Sequence, residues 1–459
     1  MSPAESKPAR ALFGTDGVRG LANVEPVTVE TALRLGRAVA DVCRTTLVGR
    51  TRVVIGKDTR WSGDMLESAL AAGICASGLD ALLTGPIPTP AVAFLTRSLG
   101  ACAGAVVSAS HNPFQDNGIK FFAASGFKLP DALEEEIERR VVAGGSTPVH
   151  PTGDDVGKIF RLPDAAERYG EFVKRSVPAD LSLSGLTIAV DCAHGAAYEL
   201  GPALLRDLGA RVVTIGTSPD GRNINEQCGA THPARLQALV TATQAQLGIA
   251  WDGDADRAIF IDETGAVVDG DHVLAMIADD MLRRGTLRHA TVVATVMSNL
   301  GLEQALRERG ARLVRVNVGD RYVVEEMRRH NYNLGGEQSG HVVLLDHTTT
   351  GDGLITALAI VRLLVDRQRP LSELKRVMPQ FPQVLVNVPV ARRAELVSLP
   401  RVRQTIDRIA GTLGERGRVL VRFSGTEPLA RVMVEGESLI QIQGMAEEIA
   451  AAVRSELTP

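Results

Sequence analysis

The sequence predicts an α/β protein of four domains, three related mixed-sheet α/β domains followed by a smaller C-terminal α+β domain. Three observations carry that expectation. Short β-branched runs alternate with longer helical stretches along most of the chain, the pattern of layered α/β structure. The length of 459 residues sets a prior of about three domains, with two or four also in range. The last segment changes character and ends in a hairpin-like strand pair around a polar loop.

Taken in order, Arg52-Val53-Val54-Ile55-Gly56 reads as a strand and Asp64 to Ala76 as a helix. Gly104 to Val107 is the next strand and Leu133 to Val142 the next helix. In that helix Glu134, Glu135 and Glu136 lie one turn from Arg139 and Arg140, which predicts a solvated, ion-paired face. Gly144-Gly145-Ser146-Thr147-Pro148, followed by Pro151, Gly153 and Gly157, marks a boundary. A second unit comprises strand Leu186 to Val190, helix Leu200 to Leu208, strand Arg211 to Ile215 and strand Leu247 to Ala250, which runs into an acidic cluster. A third has strand Ala290 to Thr295, helix Leu302 to Arg309 and strand Arg312 to Val316. The proline-containing stretch Pro370 to Pro389 precedes the final pair, Arg418 to Phe423 and Ala430 to Gly436. These breaks place domains at 1–150, 151–262, 263–375 and 376–459. The repetition is architectural, with no repeat visible at the level of residues.

Composition excludes several classes. Apolar residues make up 45% and charged residues 23% of the chain, ordinary for a soluble globular protein. Aromatics at 4% argue against a carbohydrate platform of stacked rings. A net charge of −4, with both signs mixed along the chain, offers no basic face to nucleic acid and no polybasic anchor to a membrane. Cys43, Cys75, Cys102, Cys192 and Cys228 are scattered and lack zinc-ligand spacing, so they read as reduced structural thiols of a cytoplasmic protein. Met1 to Ala11 lacks the apolar core of a secretory signal. The most apolar long stretch, Ala69 to Thr96, contains Asp80, Pro86, Pro88 and Pro90 and does not form one spanning helix.

Four loops carry the chemistry. The first is Ser108-Ala109-Ser110-His111-Asn112-Pro113. A serine hydroxyl needs a base, a metal or a dipole to become a nucleophile, and Ser110 follows a strand, where open α/β sheets place functional loops. The Gly-x-Ser-x-Gly turn of a serine hydrolase is absent; alone, the run is also compatible with plain turn chemistry. The second is Asp252-Gly253-Asp254-Ala255-Asp256-Arg257, whose carboxylates at i, i+2 and i+4 can converge on one hard cation. An EF-hand is excluded, because Arg257 stands where that loop needs glycine and the flanks read as strands. Arg257 suits a phosphate approaching the metal. The third is Gly335-Gly336-Glu337-Gln338-Ser339-Gly340-His341, either a polar hairpin turn or a set of donors and acceptors for sugar hydroxyls. The fourth is Arg422-Phe423-Ser424-Gly425-Thr426-Glu427-Pro428 with Arg431 just after. Two arginines, two hydroxyls and a glycine-opened backbone make a phosphate cradle, without the lysine spacing of a nucleotide P-loop. Together the loops describe phosphoryl transfer at a serine beside a metal, with a second phosphate held elsewhere on a small bisphosphorylated polyol.

At these loops the sequence resembles the α-D-phosphohexomutase superfamily, and within it the bacterial phosphoglucosamine mutases. The likeness covers nearly the whole chain. It takes in Phe13-Gly14-Thr15-Asp16-Gly17-Val18-Arg19-Gly20, Gly56-Lys57-Asp58-Thr59-Arg60 and Ser108 to Phe122, with Asp116-Asn117-Gly118-Ile119-Lys120 inside that span. It continues through the acidic loop, Val318-Gly319-Asp320-Arg321-Tyr322, Gly335 to His341 and the final cradle. Glu337-Gln338-Ser339, Gly319 to Tyr322 and Gly14 to Gly17 resemble the glucosamine branch rather than the mannose/glucose branch. Phe423 departs from the pattern, since relatives usually carry a small residue or proline there.

The resemblance implies four domains around a central cleft and a phosphoserine at Ser110. It implies Mg2+ held by that serine phosphate with Asp252, Asp254 and Asp256. The phosphoryl group passes to the 1-hydroxyl of glucosamine 6-phosphate; the 1,6-bisphosphate then turns and returns its 6-phosphoryl group to Ser110, leaving glucosamine 1-phosphate. That product feeds UDP-N-acetylglucosamine and cell-wall precursors. Arg19, Lys120 and His341 match positions near the reacting hydroxyl, with Lys120 the preferred proton handler once burial or neighbouring cations lower its pKa. His111, Arg257, Asp320, Arg321, Glu337, Gln338 and Ser339 are expected at the sugar phosphate. Arg422, Ser424, Gly425, Thr426 and Arg431 are expected at the non-reacting phosphate. Glucosamine 1,6-bisphosphate or glucose 1,6-bisphosphate is the expected activator, a phosphosugar the only expected partner besides a second copy in a homodimer. The rivals are phosphomannomutase or phosphoglucomutase, a metal-dependent phosphatase using Ser110, and a phosphosugar sensor, which would not need the serine and the aspartate trio.

Overall fold

The computed structural model describes residues 12–14, 16–46, 52–142, 151–391, 398–423 and 429–457. Two compact units divide the chain. One runs to Val296 and resumes from Val314 to Arg376; the other combines Met297–Leu313 with Val377 onward.

The first unit contains three sheets built on one plan. In the first, the order is Val18–Leu21, Asp116–Ala123, Ala103–Val107, Arg52–Lys57, Asp80–Pro86 and Ile159–Arg161. Ala103–Val107, Arg52–Lys57 and Asp80–Pro86 are parallel, and Asp116–Ala123 folds back antiparallel on Ala103–Val107. Parallel strands are covered on both faces and read as continuous apolar runs, as Ala103–Val107 does with every residue buried. The second sheet runs Val267–Val268, Ala258–Asp262, Leu247–Trp251, Thr187–Asp191 and Arg211–Ile215. Its last three strands are parallel, and Ala258–Asp262 folds back on Leu247–Trp251. In the third, Thr291–Thr295 is parallel to Leu334–Gly336, Val342–Leu344 folds back on the latter, and Arg312–Val316 lies at the edge. In all three sheets one loop joins a parallel strand to the antiparallel strand that returns beside it. Those loops are the Ser110 loop, the Asp252–Asp256 loop and the Glu337–His341 loop.

The apolar stretch Ala69 to Thr96 divides as the prolines require, into helix Gly63–Ala76, strand Asp80–Pro86 and helix Thr89–Ser98. No described helix is long and apolar enough to cross a membrane. Helix Val29–Thr46, which the sequence reading passed over, packs on Gly63–Ala76 through a reciprocal glycine contact. A Cβ at Gly36 would lie 2.3 Å from Leu70 O, and one at Gly73 would lie 2.2 Å from Leu33 O.

Helix Asp131–Val142 corrects the expected solvated face. Glu134 is buried and accepts from Arg321 Nη2 at 2.5 Å; Glu136, paired with Arg139 and Arg140, keeps the expected i,i+3 and i,i+4 contacts. Gly144 to Pro148 lies outside the described residues. All five cysteines are buried, and none forms a disulfide.

The second unit is a three-stranded antiparallel sheet, Gln383–Pro389, Leu429–Gly436 and Gly417–Phe423, with the second strand central. Helices Pro400–Leu413 and Leu439–Leu457 contribute Val402, Ile409, Ile442, Ile449 and Val453 to its core beside Val388, Val432 and Val434. Phe423 packs against this same core, so a large apolar residue there extends the sheet's packing. Leu300 N–H donates to the buried Glu435 Oε1 at 2.8 Å, tying the 297–313 segment to this unit.

Candidate active site

Ser110 follows strand Ala103–Val107 with φ +51°, in the left-handed region. A non-glycine residue held there costs on the order of 1–3 kcal/mol, so its surroundings must impose it. Its N–H donates to Ser108 Oγ at 2.9 Å, and Ser108 Oγ donates to Asp58 Oδ2 at 2.6 Å. The Ser110 hydroxyl donates to Asp252 Oδ2 at 2.7 Å and lies 3.3 Å from His111 Nδ1. Loops from two sheets thus meet at one oxygen.

Asp252, Asp254 and Asp256 are buried, and each offers a carboxylate oxygen within 4.8 Å of the other two. Ala255, at φ +56°, supplies the turn in this loop. Burial, then repulsion from Asp256 and Asp254, pushes the Asp252 carboxyl well above the usual carboxylate range. Asp254 Oδ1 and Asp256 Oδ1 are buried without a hydrogen-bond partner, a costly state for carboxylate oxygens. Oxygen donors of this kind, crowded and under-satisfied, fit a hard divalent cation.

Cations frame the trio. Lys120 Nζ lies 2.7 Å from Asp254 Oδ2, 3.8 Å from Asp256 and 3.9 Å from Asp16. Burial disfavours its charge, but Asp16, Asp254 and Asp256 outweigh burial and hold the ammonium above the usual lysine range. This reverses the lowered pKa that a proton-accepting lysine requires. Thr89 Oγ1 also donates to Asp254 Oδ2, at 2.6 Å. Asp16 pairs with Arg19 and, at 2.5 Å, with Lys128, which reaches Asp320 at 2.6 Å. Arg257 Nε lies 3.9 Å from Asp256 Oδ1 and has no hydrogen-bond partner.

The two histidines differ. Burial, then Arg257 and Arg19, lowers His111 to about 4, so its ring is neutral. His341 stands 3.6 Å from both Asp256 and Asp320. Burial opposes its charge, but Asp256 foremost raises it to about 9. The Gly351 N–H donates to His341 Nε2 at 3.1 Å, which favours the neutral ring. Two flanking carboxylates outweigh that one neutral donor, and the direction is upward.

Of the sugar candidates, Glu337 Oε1 accepts from Gly319 N–H at 3.2 Å and Gln338 Nε2 donates to Asp269 Oδ2 at 3.2 Å. Ser339 Oγ is a buried atom without a partner. Arg321 is turned elsewhere, onto Asp131 and Glu134 of helix Asp131–Val142. In the second unit Arg422 and Arg431 sit directly opposite each other in the ladder. Burial, then the Arg431 charge, lowers the Arg422 pKa. Ser424, Gly425 and Thr426 lie outside the described residues. The sequence reading assigned no part to Asp16, Asp58, Arg60, Thr89, Lys128 or Asn225. Asp16, Asp58 and Arg60 fall in stretches that carried the resemblance, which was the available signal.

The phosphoglucomutase/phosphomannomutase family matches the chain in four parts. These are α/β/α domain I over residues 10–147, α/β/α domain II over 167–265, α/β/α domain III over 269–381 and the C-terminal domain over 385–452. The phosphoglucosamine mutase of Syntrophotalea carbinolica is 54% identical over 448 residues, 98% of each chain. That of Myxococcus xanthus is 52% identical over 458 residues, 100% of each. Among solved structures, a phosphoglucomutase/phosphomannomutase family protein from Burkholderia thailandensis matches with TM-score 0.80 and 26% identity, over 96% of this chain and 97% of that one. The N-acetylphosphoglucosamine mutase of Aspergillus fumigatus, solved with GlcNAc-6P and magnesium, shares the fold at TM-score 0.63 and 18% identity, over 99% and 97%. Identity above one half along the full length, joined to matches in all four domains, means that the chain belongs to the phosphoglucosamine mutase family within the phosphohexomutases.

Proposed function

We propose that the chain interconverts glucosamine 6-phosphate and glucosamine 1-phosphate, with Ser110 carrying the phosphoryl group and glucosamine 1,6-bisphosphate as the intermediate. The observation that carries this reading is the Ser110 hydroxyl, 2.7 Å from Asp252 at the edge of three buried carboxylates.

The Oγ–P bond of Ser110 breaks as the bond from phosphorus to the 1-oxygen forms, the 1-hydroxyl proton ending on Ser110 Oγ. The bisphosphate turns, and its 6-phosphoryl group returns to Ser110 as the serine proton ends on the 6-oxygen. On that return the serine proton already faces Asp252 Oδ2, so it has an acceptor in place. Asp252, Asp254 and Asp256, with a phosphoserine oxygen, would hold Mg2+, which when bound offsets charge on the transferring oxygens. Lys120 stays an ammonium and stabilises charge beside Asp254 rather than accepting a proton. Arg19 and Arg257 add positive charge, and His341 in its charged form donates toward the reacting side. His111, Asp320, Glu337, Gln338 and Ser339 orient the sugar. Arg321 serves this set by tying the Asp320 turn to helix Asp131–Val142. Arg422, Ser424, Gly425, Thr426 and Arg431 hold the other phosphate.

The four working parts divide at 150, 262 and 375, with the serine, metal, sugar and phosphate loops in that order. A bisphosphate of glucosamine or glucose primes Ser110. The protein works in the cytoplasm on a small phosphosugar, apart from nucleic acid and membranes, and is compatible with a homodimer.

The test is a substrate panel of glucosamine, mannose and glucose 6-phosphates with Mg2+ and a bisphosphate activator. Preferred turnover of the glucosamine compound, with little inorganic phosphate released, is expected. Preferred turnover of mannose or glucose compounds would point to phosphomannomutase or phosphoglucomutase, and steady phosphate release to a phosphatase.

A further inference from the structure

The main-chain oxygens of the Ser110 loop are gripped from two sides. Arg60, almost fully buried, donates through Nη2 to Ser110 O at 2.9 Å and Asn112 O at 2.8 Å. Its Nη1 donates to Asp116 O at 3.0 Å and to Pro113 O, and its Nε to Asp58 Oδ2 at 2.8 Å. All five N–H groups of a guanidinium are then engaged, leaving none to face a substrate. From the other side Asn225, which follows strand Arg211–Ile215 of the second sheet, donates through Nδ2 to the same Ser110 O at 2.9 Å and Asn112 O at 3.0 Å.

The grip extends to the acidic loop and to the neighbouring backbone. A Cβ at Gly253 would lie 2.5 Å from Ser110 O and 2.8 Å from Asn225 Nδ2, so the two loops touch through that glycine. The residues flanking Arg60 are bound to the second sheet's side as well. Thr59 Oγ1 donates to His194 O at 2.5 Å, and Trp61 N–H donates to Gly221 O at 2.8 Å. The carbonyl held at residue 110 fixes the peptide plane after Ser110, those at 112, 113 and 116 fix the loop beyond it, and the Ser110 N–H bond to Ser108 Oγ fixes the plane before it. They therefore fix its left-handed backbone, which a serine does not adopt unaided.

We propose that Arg60 and Asn225 are positioning residues that lock Ser110 in its left-handed conformation and keep its Oγ aimed at Asp252 through both halves of the phosphoryl exchange. The proposal rests on the reading of Ser110 as the phosphoryl carrier. Release of the lock lets the backbone relax and swings Oγ off line. A displacement of about 1 Å in a reacting group costs roughly 100-fold in rate.

The test uses the full chain with Mg2+ and glucosamine 1,6-bisphosphate, comparing wild type with Asn225→Gly and Arg60→Lys. Asn225 has φ +60°, which glycine accepts, and its Oδ1 has no partner to lose. Arg60→Lys keeps a cation beside Asp58 but lacks the planar fork. The expected result for Asn225→Gly is kcat lower by about 100-fold. KM for glucosamine 6-phosphate stays within about threefold of wild type, and single-turnover phosphorylation of Ser110 slows in parallel with kcat. Arg60→Lys shows the same split. A folded variant with kcat within about twofold of wild type overturns the proposal, as does a raised KM with kcat unchanged. Loss of the fold in both variants also overturns it, since the contacts would then be structural only. Absence of mutase turnover in wild type would instead defeat the functional reading, so the two failures are distinguishable.

Discussion

The Ser110 hydroxyl and the Asp252 carboxylate, 142 positions apart in the chain, meet at 2.7 Å. Each residue follows a parallel strand at the point where the next strand turns back, one in the first sheet and one in the second. The contact places a nucleophilic oxygen against three carboxylates that repel one another. Phosphoryl transfer needs that juxtaposition, because positioning and charge compensation supply most of its catalysis.

Chelation is expected to abolish turnover and added Mg2+ to restore it. Asp254→Asn should weaken turnover at least about 100-fold, equivalent to roughly 3 kcal/mol. The change also leaves the buried Lys120 ammonium without its charge partner at 2.7 Å, so the metal-free variant should be less stable than wild type as well. Calorimetric Mg2+ titration and thermal scans of the metal-free variant check both halves.

The histidines give the metal-free protein a pH optimum of stability. His111 has a folded pKa depressed from 6.5 to about 4, so its contribution is present above 6.5 and is lost as pH falls toward 4. His341 is raised from 6.5 to about 9, so its contribution is complete below 6.5 and is lost as pH rises toward 9. For the buried His341 that loss is bounded by roughly 3 kcal/mol. Denaturation midpoints across this range should fall on the alkaline side in wild type and flatten there in His341→Asn.

Lys120 should not appear in the pH–rate profile. Its folded pKa lies above the ordinary 10.5, so its stabilising charge is complete below that pH and fades only above it. Lys120→Met removes the buried partner of Asp254 and should cost about 3 kcal/mol of stability together with activity. An ionisation near neutral pH that vanishes in Lys120→Arg would contradict this.

Arg431→Ala should raise KM for glucosamine 6-phosphate about 10- to 100-fold. Charge-assisted hydrogen bonds of the kind a phosphate makes contribute on the order of 1.5–3 kcal/mol. Initial rates over a concentration series, with kcat less affected than KM, check the assignment.

Legibility followed locality. The strand before Ser110, the strand before Asp252 and the final hairpin were readable because apolar runs end in dense polar loops. The Asp252, Asp254 and Asp256 spacing was readable because neighbouring residues make one cluster. Arg60 and Asn225 were not, since each works on backbone oxygens at least 50 positions away. Glu134 looked solvated because its helix neighbours offered charges of opposite sign, but Arg321, 187 positions on, draws it into the interior. The same pairing holds the Arg321 guanidinium on helix Asp131–Val142. Lys120 looked like a base on position alone; three carboxylates from distant segments decide its protonation.

The central claim is that Ser110 carries the phosphoryl group. It is tested by intact mass and peptide mapping of wild type and Ser110→Ala after incubation with Mg2+ and glucosamine 1,6-bisphosphate. One added phosphoryl group on the peptide containing Ser110, absent from a folded and inactive Ser110→Ala, is the result predicted. Phosphate on another residue, or unchanged mutase turnover in Ser110→Ala, would contradict it.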